Sequence, residues 1–172
     1  MKSFFLIILE IALFGMIGRG VNQVSLQTYC EHGVRFLYPQ EWEIVEESQG
    51  PTVAVTLNSP ETSFWSLWLM PDRPNPEAIL ESALTAFEED YENVDIYRSE
   101  GELCEYPCLK CEVEFVSLEL INSASLRAFR TGRFSVLILS QGTDHELEYS
   151  RPILEAVTES FECDLDDDIS VA

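Results

Sequence analysis

The chain has 172 residues, of which 46% are hydrophobic and 11% aromatic, and its 31 acidic and 10 basic side chains give a formal net charge of -21. This length and apolar content suit one folded domain and exclude a chain that is disordered throughout. The charge argues against nucleic acid as a partner, because phosphate binding requires clustered Lys and Arg. An acidic surface indicates either solubility or adaptation to a saline habitat, where salt screens the self-repulsion.

Residues 1–20 form an apolar segment that allows three interpretations. Lys2 precedes the apolar run as in a secretory signal, but Glu10 interrupts the run and no Ala-x-Ala-like cleavage site follows it. The run is also short for a membrane-spanning helix. A poor signal peptide, a marginal anchor and translation from Met16 therefore all fit. The odd number of cysteines, five, favours a cytoplasmic protein over export by a poor signal peptide. Membrane contact is expected only if the segment is retained as an anchor.

Residues 24–163 contain turn signals at intervals that suit short strands, with no linker that would divide them, and we expect a single domain there. The first two strands, SLQTYC and VRFLYP, flank a turn at Gly33 and form a hairpin that closes at Pro39. Two further β-rich runs, residues 52–57 and 64–70, are separated by a short turn and are expected to pair antiparallel.

A helix follows, with Asn75 as its N-cap and Pro76 in its first position. Its apolar residues recur at helical spacing on one face: Ile79, Leu80, Ala83, Leu84, Phe87 and Tyr91. The run VDIYRS at 94–99 predicts a short strand, and from Leu109 to Ser117 apolar and polar residues alternate strictly, which predicts a half-buried strand.

Two more strands are predicted at about 120–130 and 134–140, joined by a tight turn in which Gly132 takes a positive φ. The second of them is apolar on both faces and should lie centrally in the sheet. A last helix begins with a capping box of Thr143 and Glu146, and Pro152 is expected to kink it or to mark a restart after Ser150. The acidic tail, 164–172, is expected to be disordered.

These elements predict an α+β domain in which two principal helices pack on a mostly antiparallel, twisted sheet of about seven strands. The stretch VRFLYPQEW, with Tyr38, Pro39 and Trp42, resembles the YP-x-x-W opening of the PsbP-like and DcrB-like superfamily of α/β/α sandwiches. A helix after the fourth predicted strand, a turn into a strand near Tyr106-Pro107-Cys108 and a last helix ending in Ser160-Phe161 match that superfamily too. The resemblance implies a sandwich fold and an accessory role, with few enzymes among the members. The apolar start lacks a lipobox cysteine, which argues against an envelope lipoprotein.

Three of the five cysteines, Cys104, Cys108 and Cys111, lie within eight residues and spell C-x3-C-x2-C. That spacing occurs in radical-SAM enzymes, but the chain lacks their barrel and their other motifs. A zinc site would need converging sulfurs and a fourth ligand from Cys30, Cys163 or a histidine. Because the alternating strand sends Cys111 into the core, we interpret the three as buried thiols and predict no cofactor. The alternative is a small metal-binding or thiol-redox protein that uses the three, with Cys104 and Cys108 as the redox pair.

The sequence contains two histidines, His32 in a predicted hairpin turn and His145 in the first turn of a helix, and no nucleophile-elbow motif. We therefore predict a protein that is not an enzyme. Trp65 and Trp68 fall on opposite faces of one strand, so one of them could mark a contact surface unless helices cover both faces. The predicted function is a non-catalytic accessory or protein-interaction domain whose partner is a protein.

Overall fold

The computed structural model describes residues 25–164, which form nine strands and two helices. The strands are β1 (Leu26–Glu31), β2 (Val34–Pro39), β3 (Glu43–Gln49), β4 (Thr52–Asn58), β5 (Phe64–Met70), β6 (Asp95–Leu103), β7 (Tyr106–Ser117), β8 (Leu120–Arg130) and β9 (Ser135–Thr143). Helix α1 spans Pro76–Asp90 and helix α2 spans Asp144–Glu159. The predictions for residues 1–20 and for the tail beyond Asp164 lie outside the described residues.

Seven strands form one antiparallel sheet in the order β3-β4-β5-β9-β8-β7-β6, and β1 pairs with β2 in a separate two-stranded sheet. The predicted α+β class and the sheet of about seven strands are confirmed. Strand β9 lies at the centre of the large sheet, as its apolar residues on both faces predicted. Strand β3 was not predicted from the sequence, because it is an edge strand in which only Ile44 is partly buried.

The two faces of the large sheet carry separate cores. Helix α1 covers one face with Ile79, Leu80, Leu84 and Phe87, which pack on residues of β7, β8 and β9. Helix α2 and the β1–β2 hairpin cover the other face over β4, β5 and β9. Because successive residues of a strand point to opposite faces, each central strand contributes to both cores.

Both helices begin where the sequence predicted. The side chain of Asn75 accepts a hydrogen bond from the Glu77 backbone N–H at 2.9 Å, and Thr143 and Glu146 form the capping box of α2. Helix α2 is continuous through Pro152, so the chain does not restart after Ser150.

Three hairpins close with two-residue turns in which both central residues have a positive φ. The turns are His32-Gly33, Cys104-Glu105 and Leu118-Glu119. The β6–β7 turn therefore precedes Tyr106, so the Pro-containing segment lies within β7. The predicted positive φ at Gly132 is wrong, because the loop between β8 and β9 is longer and is closed by Thr131, whose N–H donates to the Phe134 carbonyl at 2.9 Å.

Candidate functional site

The two tryptophans that were candidates for a contact surface, Trp65 and Trp68, lie on opposite faces of β5. Trp65 is fully buried, and its ring N–H donates to the Thr158 hydroxyl of α2 at 2.9 Å. Its ring also packs against Phe36, with ring centroids 4.9 Å apart. Trp65 therefore belongs to the core rather than to a contact surface. Trp68 is half-buried and packs against the core beneath α1.

The three clustered cysteines do not converge on one point. Cys108 is buried in the core on the α2 side, Cys111 is buried in the core under α1, and Cys104 occupies the β6–β7 turn. Among residues 25–164, no group of three or more His, Cys, Asp or Glu side chains is placed to hold a metal ion. Burial raises the pKa of both Cys108 and Cys111, which keeps these thiols protonated and unreactive at neutral pH.

The two histidines occupy positions that do not suit acid–base catalysis. His32 is bound to the Glu46 carboxylate at 2.8 Å, and the pKa of Glu46 is lowered by hydrogen bonds from Tyr29 and from His32. His145 is exposed in the first turn of α2. A general base must be within hydrogen-bonding reach of the proton it takes, and neither ring lines the clefts described next.

A polar cleft of about 40 Å³ lies between α2 and strands β7, β8 and β9. Arg127 and Arg151 line it together with Glu112 and Glu155, and Ser125 donates a hydrogen bond to Glu112 at 2.7 Å. A groove of about 240 Å³ lies beside α1. Binding sites for organic substrates typically have volumes of about 300–1,000 Å³, so these spaces suit waters and small ions better than a substrate.

The tip of the β7–β8 hairpin carries a group of exposed apolar side chains that we call the hydrophobic tip. It consists of Val116, Leu118, Leu120 and Ile121, with Leu118 92% exposed and the others 53–54% exposed. Val116 and Ile121 are opposite each other and share one face of the hairpin, whereas Leu120 points to the other face. Such side chains normally occur singly on the surface of a monomer, and a group of them at the end of one hairpin favours a contact surface. This is the residue set that reasoning from the sequence missed.

The two central residues of the turn in the hydrophobic tip are poorly suited to its backbone conformation. Leu118 and Glu119 have φ values of 52° and 64°, a conformation that costs free energy for any residue with a large side chain. A two-residue turn of this kind prefers Asn-Gly. A Leu-Glu pair at the turn between two strands, where Asn-Gly is usual, was therefore the feature of the sequence that could have located the site.

Two carboxylates lie close to the hydrophobic tip. Glu119 is in the turn itself, and the exposed Glu114 is two residues before Val116 on β7. Asp95 of β6 is directly opposite Glu114, so two like charges face each other across the pair of strands. The tip is an apolar surface with an acidic border.

Comparisons with known proteins support the fold and not a specific activity. No protein-family model matches the chain, and no curated protein sequence matches it. The solution structure of cyanobacterial PsbP (CyanoP) from Synechocystis sp. PCC 6803 aligns over 84% of this chain and 96% of that protein, with 16% identity and a TM-score of 0.55. A crystal structure from Bacteroides thetaiotaomicron aligns over 83% of this chain and 49% of that protein, with 14% identity and a TM-score of 0.55.

The described chain is therefore an α+β sandwich, and its fold is that of the PsbP-like proteins. The residues that carried the sequence resemblance have structural roles in this fold, since Tyr38 and Trp42 are both buried in the core on the α2 side. LpqN of Mycobacterium tuberculosis, described as involved in cell envelope biogenesis, aligns over 82% of this chain and 91% of that protein with 11% identity, and its TM-score of 0.48 is too low to support an inference. No helix within residues 25–164 is long and apolar enough to cross a membrane.

Proposed function

We propose that the protein is a non-catalytic interaction domain that binds another protein through the hydrophobic tip of the β7–β8 hairpin. The observation that carries this proposal is the 92% exposure of Leu118 in a turn that disfavours it. Evolution retains a destabilising choice of residue at a binding surface more readily than elsewhere. The accessory role implied by the resemblance to PsbP-like proteins agrees with this proposal.

The charge around the tip defines the chemistry of the partner. Glu114 and Glu119 lie beside the apolar side chains, and the whole chain has a formal net charge of -21. A partner that fits this surface has an apolar pocket for Leu118 with Lys and Arg around it. The same carboxylates oppose docking on an anionic lipid surface, which repels acidic segments. They also oppose pairing of two tips from copies of this chain.

The test uses a photo-reactive amino acid at position 118 of the full-length chain, expressed in its own cells. A control chain carries the same group at Gln49, which is exposed at the β3–β4 hairpin on the opposite edge of the sheet. We expect a protein to be cross-linked from position 118 and not from position 49. That protein is then purified, and its affinity for the unmodified chain is measured directly.

A matched pair of substitutions distinguishes the tip from apolar surface in general. Leu118→Asn should weaken binding of the purified partner at least tenfold, whereas Val45→Thr, which alters an exposed apolar residue of β3, should leave the affinity unchanged. Binding should also weaken as salt is added, because the border is charged. Cross-linking only to a second copy of the chain, or only to lipid, or equally from both positions, would overturn the proposal.

A further inference from the structure

The segment that follows α2 lies against the β6–β7 turn, and contacts hold it there on both sides of Cys163. The Cys104 thiol donates to the Phe161 carbonyl at 3.0 Å, and the Tyr106 hydroxyl donates to the Asp164 carboxylate. Both Cys104 and Cys163 are partly buried and pack against the same core cluster. The fold therefore brings together two thiols that lie far apart in the sequence.

Cys163 lies between two residues that are held to the β6–β7 turn, since Phe161 precedes it by two residues and Asp164 follows it. This placement brings Cys163 to the turn that carries Cys104, and closeness of the two thiols is the first requirement for forming a disulfide without moving the backbone. Interaction with Cys104 and burial raise the pKa of Cys163, which keeps that thiol protonated and slow to react at neutral pH.

The presence of a cysteine at position 104 of the β6–β7 turn supports a functional role for the Cys104–Cys163 pair. Cys104 and Glu105 have φ values of 52° and 66°, so Cys104 occupies a position where Asn or Gly would cost less. Cys108 belongs to the same core cluster, but its thiol donates to the Leu109 carbonyl at 3.5 Å within its own strand, and two other cysteines lie elsewhere. Cys111 lies on the opposite face of the sheet, and Cys30 is exposed on β1.

We infer that Cys104 and Cys163 form a disulfide when the protein meets a low-molecular-weight disulfide such as oxidised glutathione. A thiolate of the pair attacks one sulfur of oxidised glutathione, breaks its S–S bond and displaces one glutathione thiolate. The second protein thiol, once deprotonated, attacks the resulting mixed disulfide and displaces the other glutathione. One S–S bond forms in the protein, one is lost from glutathione, and the two thiol protons end on two glutathione molecules.

The disulfide would join three parts of the fold. Glu162, next to Cys163, exchanges two backbone hydrogen bonds with Arg35 of β2, at 2.9 and 2.7 Å. Oxidation would therefore tie the β1–β2 hairpin and the end of α2 to the β6–β7 turn at the edge of the large sheet. Cross-linking residues so far apart in sequence removes many conformations from the unfolded chain, so the oxidised protein should be the more stable form.

The experiment incubates the reduced full-length chain with excess oxidised glutathione, blocks the remaining thiols and identifies the linked peptides by mass spectrometry. We expect a peptide joining Cys104 to Cys163, with loss of two hydrogens. The melting temperature should rise by about 5–10 °C, and dithiothreitol should reverse both changes.

Serine substitutions provide the controls. The Cys104→Ser and Cys163→Ser variants should lose the linked peptide and the rise in melting temperature, whereas Cys30→Ser and Cys108→Ser should retain both. Serine is close to cysteine in size, so the variants should fold, and the melting temperature of each reduced variant checks this. A linked peptide of Cys104 with Cys108, a cross-link between two chains through Cys30, or no disulfide under these conditions would overturn the inference.

Discussion

Glu146 carries its charge inside the protein. Burial on its own would raise the pKa of this carboxyl, but hydrogen bonds from the Thr62 hydroxyl and backbone N–H, and from Thr143, lower the pKa to about 2. The Thr62 N–H lies 2.8 Å from the carboxylate. The sequence predicted the bond with Thr143, which is three residues away, but not the one with Thr62, which depends on the β4–β5 turn being folded against α2.

The charge of Glu146 should make stability depend on pH in the acid range. Its pKa is about 2 in the folded chain and 4.5 ordinarily, so the stabilising contribution is complete above about pH 5 and is lost as the pH falls toward 2. The loss corresponds to about 3 kcal/mol in the free energy of unfolding. In Glu146→Gln, urea unfolding between pH 5 and pH 2.5 should show a visibly shallower decline than in the unmodified chain.

The matched control for this prediction is Glu148→Gln, an exposed glutamate two residues further along α2. It should reproduce the pH dependence of the unmodified chain, because its side chain is exposed to water in the folded chain. Equal slopes for both variants would mean that the buried hydrogen bonds do not hold the charge of Glu146.

At the scale of the elements, sequence periodicity located strands and helices wherever one face is buried. It predicted the caps of both helices and the central place of β9, because capping residues and two-sided apolar runs are local signals. It missed β3, in which six of seven residues are exposed and three are acidic. It also placed the β6–β7 turn too late, because Pro107 suggested a turn where the strand in fact continues.

The turn of the β7–β8 hairpin should accept more favourable residues. Replacing Leu118 with Asn and Glu119 with Gly relieves the cost of two positive φ values, and we expect the free energy of unfolding to rise by about 1 kcal/mol. The opposite change at an equivalent turn, Gly33→Ala, should destabilise, because φ there is 74°, a conformation that a residue with a Cβ adopts only with strain. Thermal unfolding measures both, and a less stable double variant would contradict the argument from strain.

Strand β3 is an edge strand whose acidic side chains should keep it from pairing with other molecules. Glu43, Glu46 and Glu47 lie along it, and charged residues are one device by which proteins protect exposed edges. We expect Glu47→Val to increase self-association with concentration, measured by light scattering. Glu88→Val removes the same charge from exposed α1 and should not self-associate. Equal scattering from both variants would show that total charge, and not the edge, controls association.

At the scale of the whole molecule, the layered architecture follows from the apolar faces of strands and helices, which must be buried. The periodicity of apolar residues in the sequence reveals those faces. The proposed contact surface cannot be predicted from sequence periodicity. The hydrophobic tip resembles the continuation of two strands, and its exposure depends on how far β7 and β8 extend beyond their neighbours. The contact of Cys104 with the segment that carries Cys163 likewise depends on where the chain turns after α2, which no local pattern specifies.

The net charge of the molecule should make its stability rise with salt. With 31 acidic and 10 basic side chains, repulsion exceeds attraction, although His32, Arg35 and Arg98 form ion pairs within residues 25–164. Raising the ionic strength from about 0.01 M to 1 M shortens the screening length from roughly 30 Å to 3 Å, and we expect the melting temperature to increase by several degrees. Sodium and potassium chloride should act alike at equal ionic strength, and sucrose at the same osmolality should act less.

A double variant tests whether the carboxylates at the end of α1 cause part of this salt dependence. Glu88, Glu89 and Asp90 lie in the last turn of α1, where the helix dipole disfavours anions and no basic residue accompanies them. Replacing Glu88 and Glu89 with Gln should therefore raise the melting temperature at low salt and reduce the further gain on adding salt, because screening then has less repulsion to remove. A melting temperature that does not change with ionic strength, or a double variant with the full salt dependence, would mean that repulsion among these carboxylates does not limit stability.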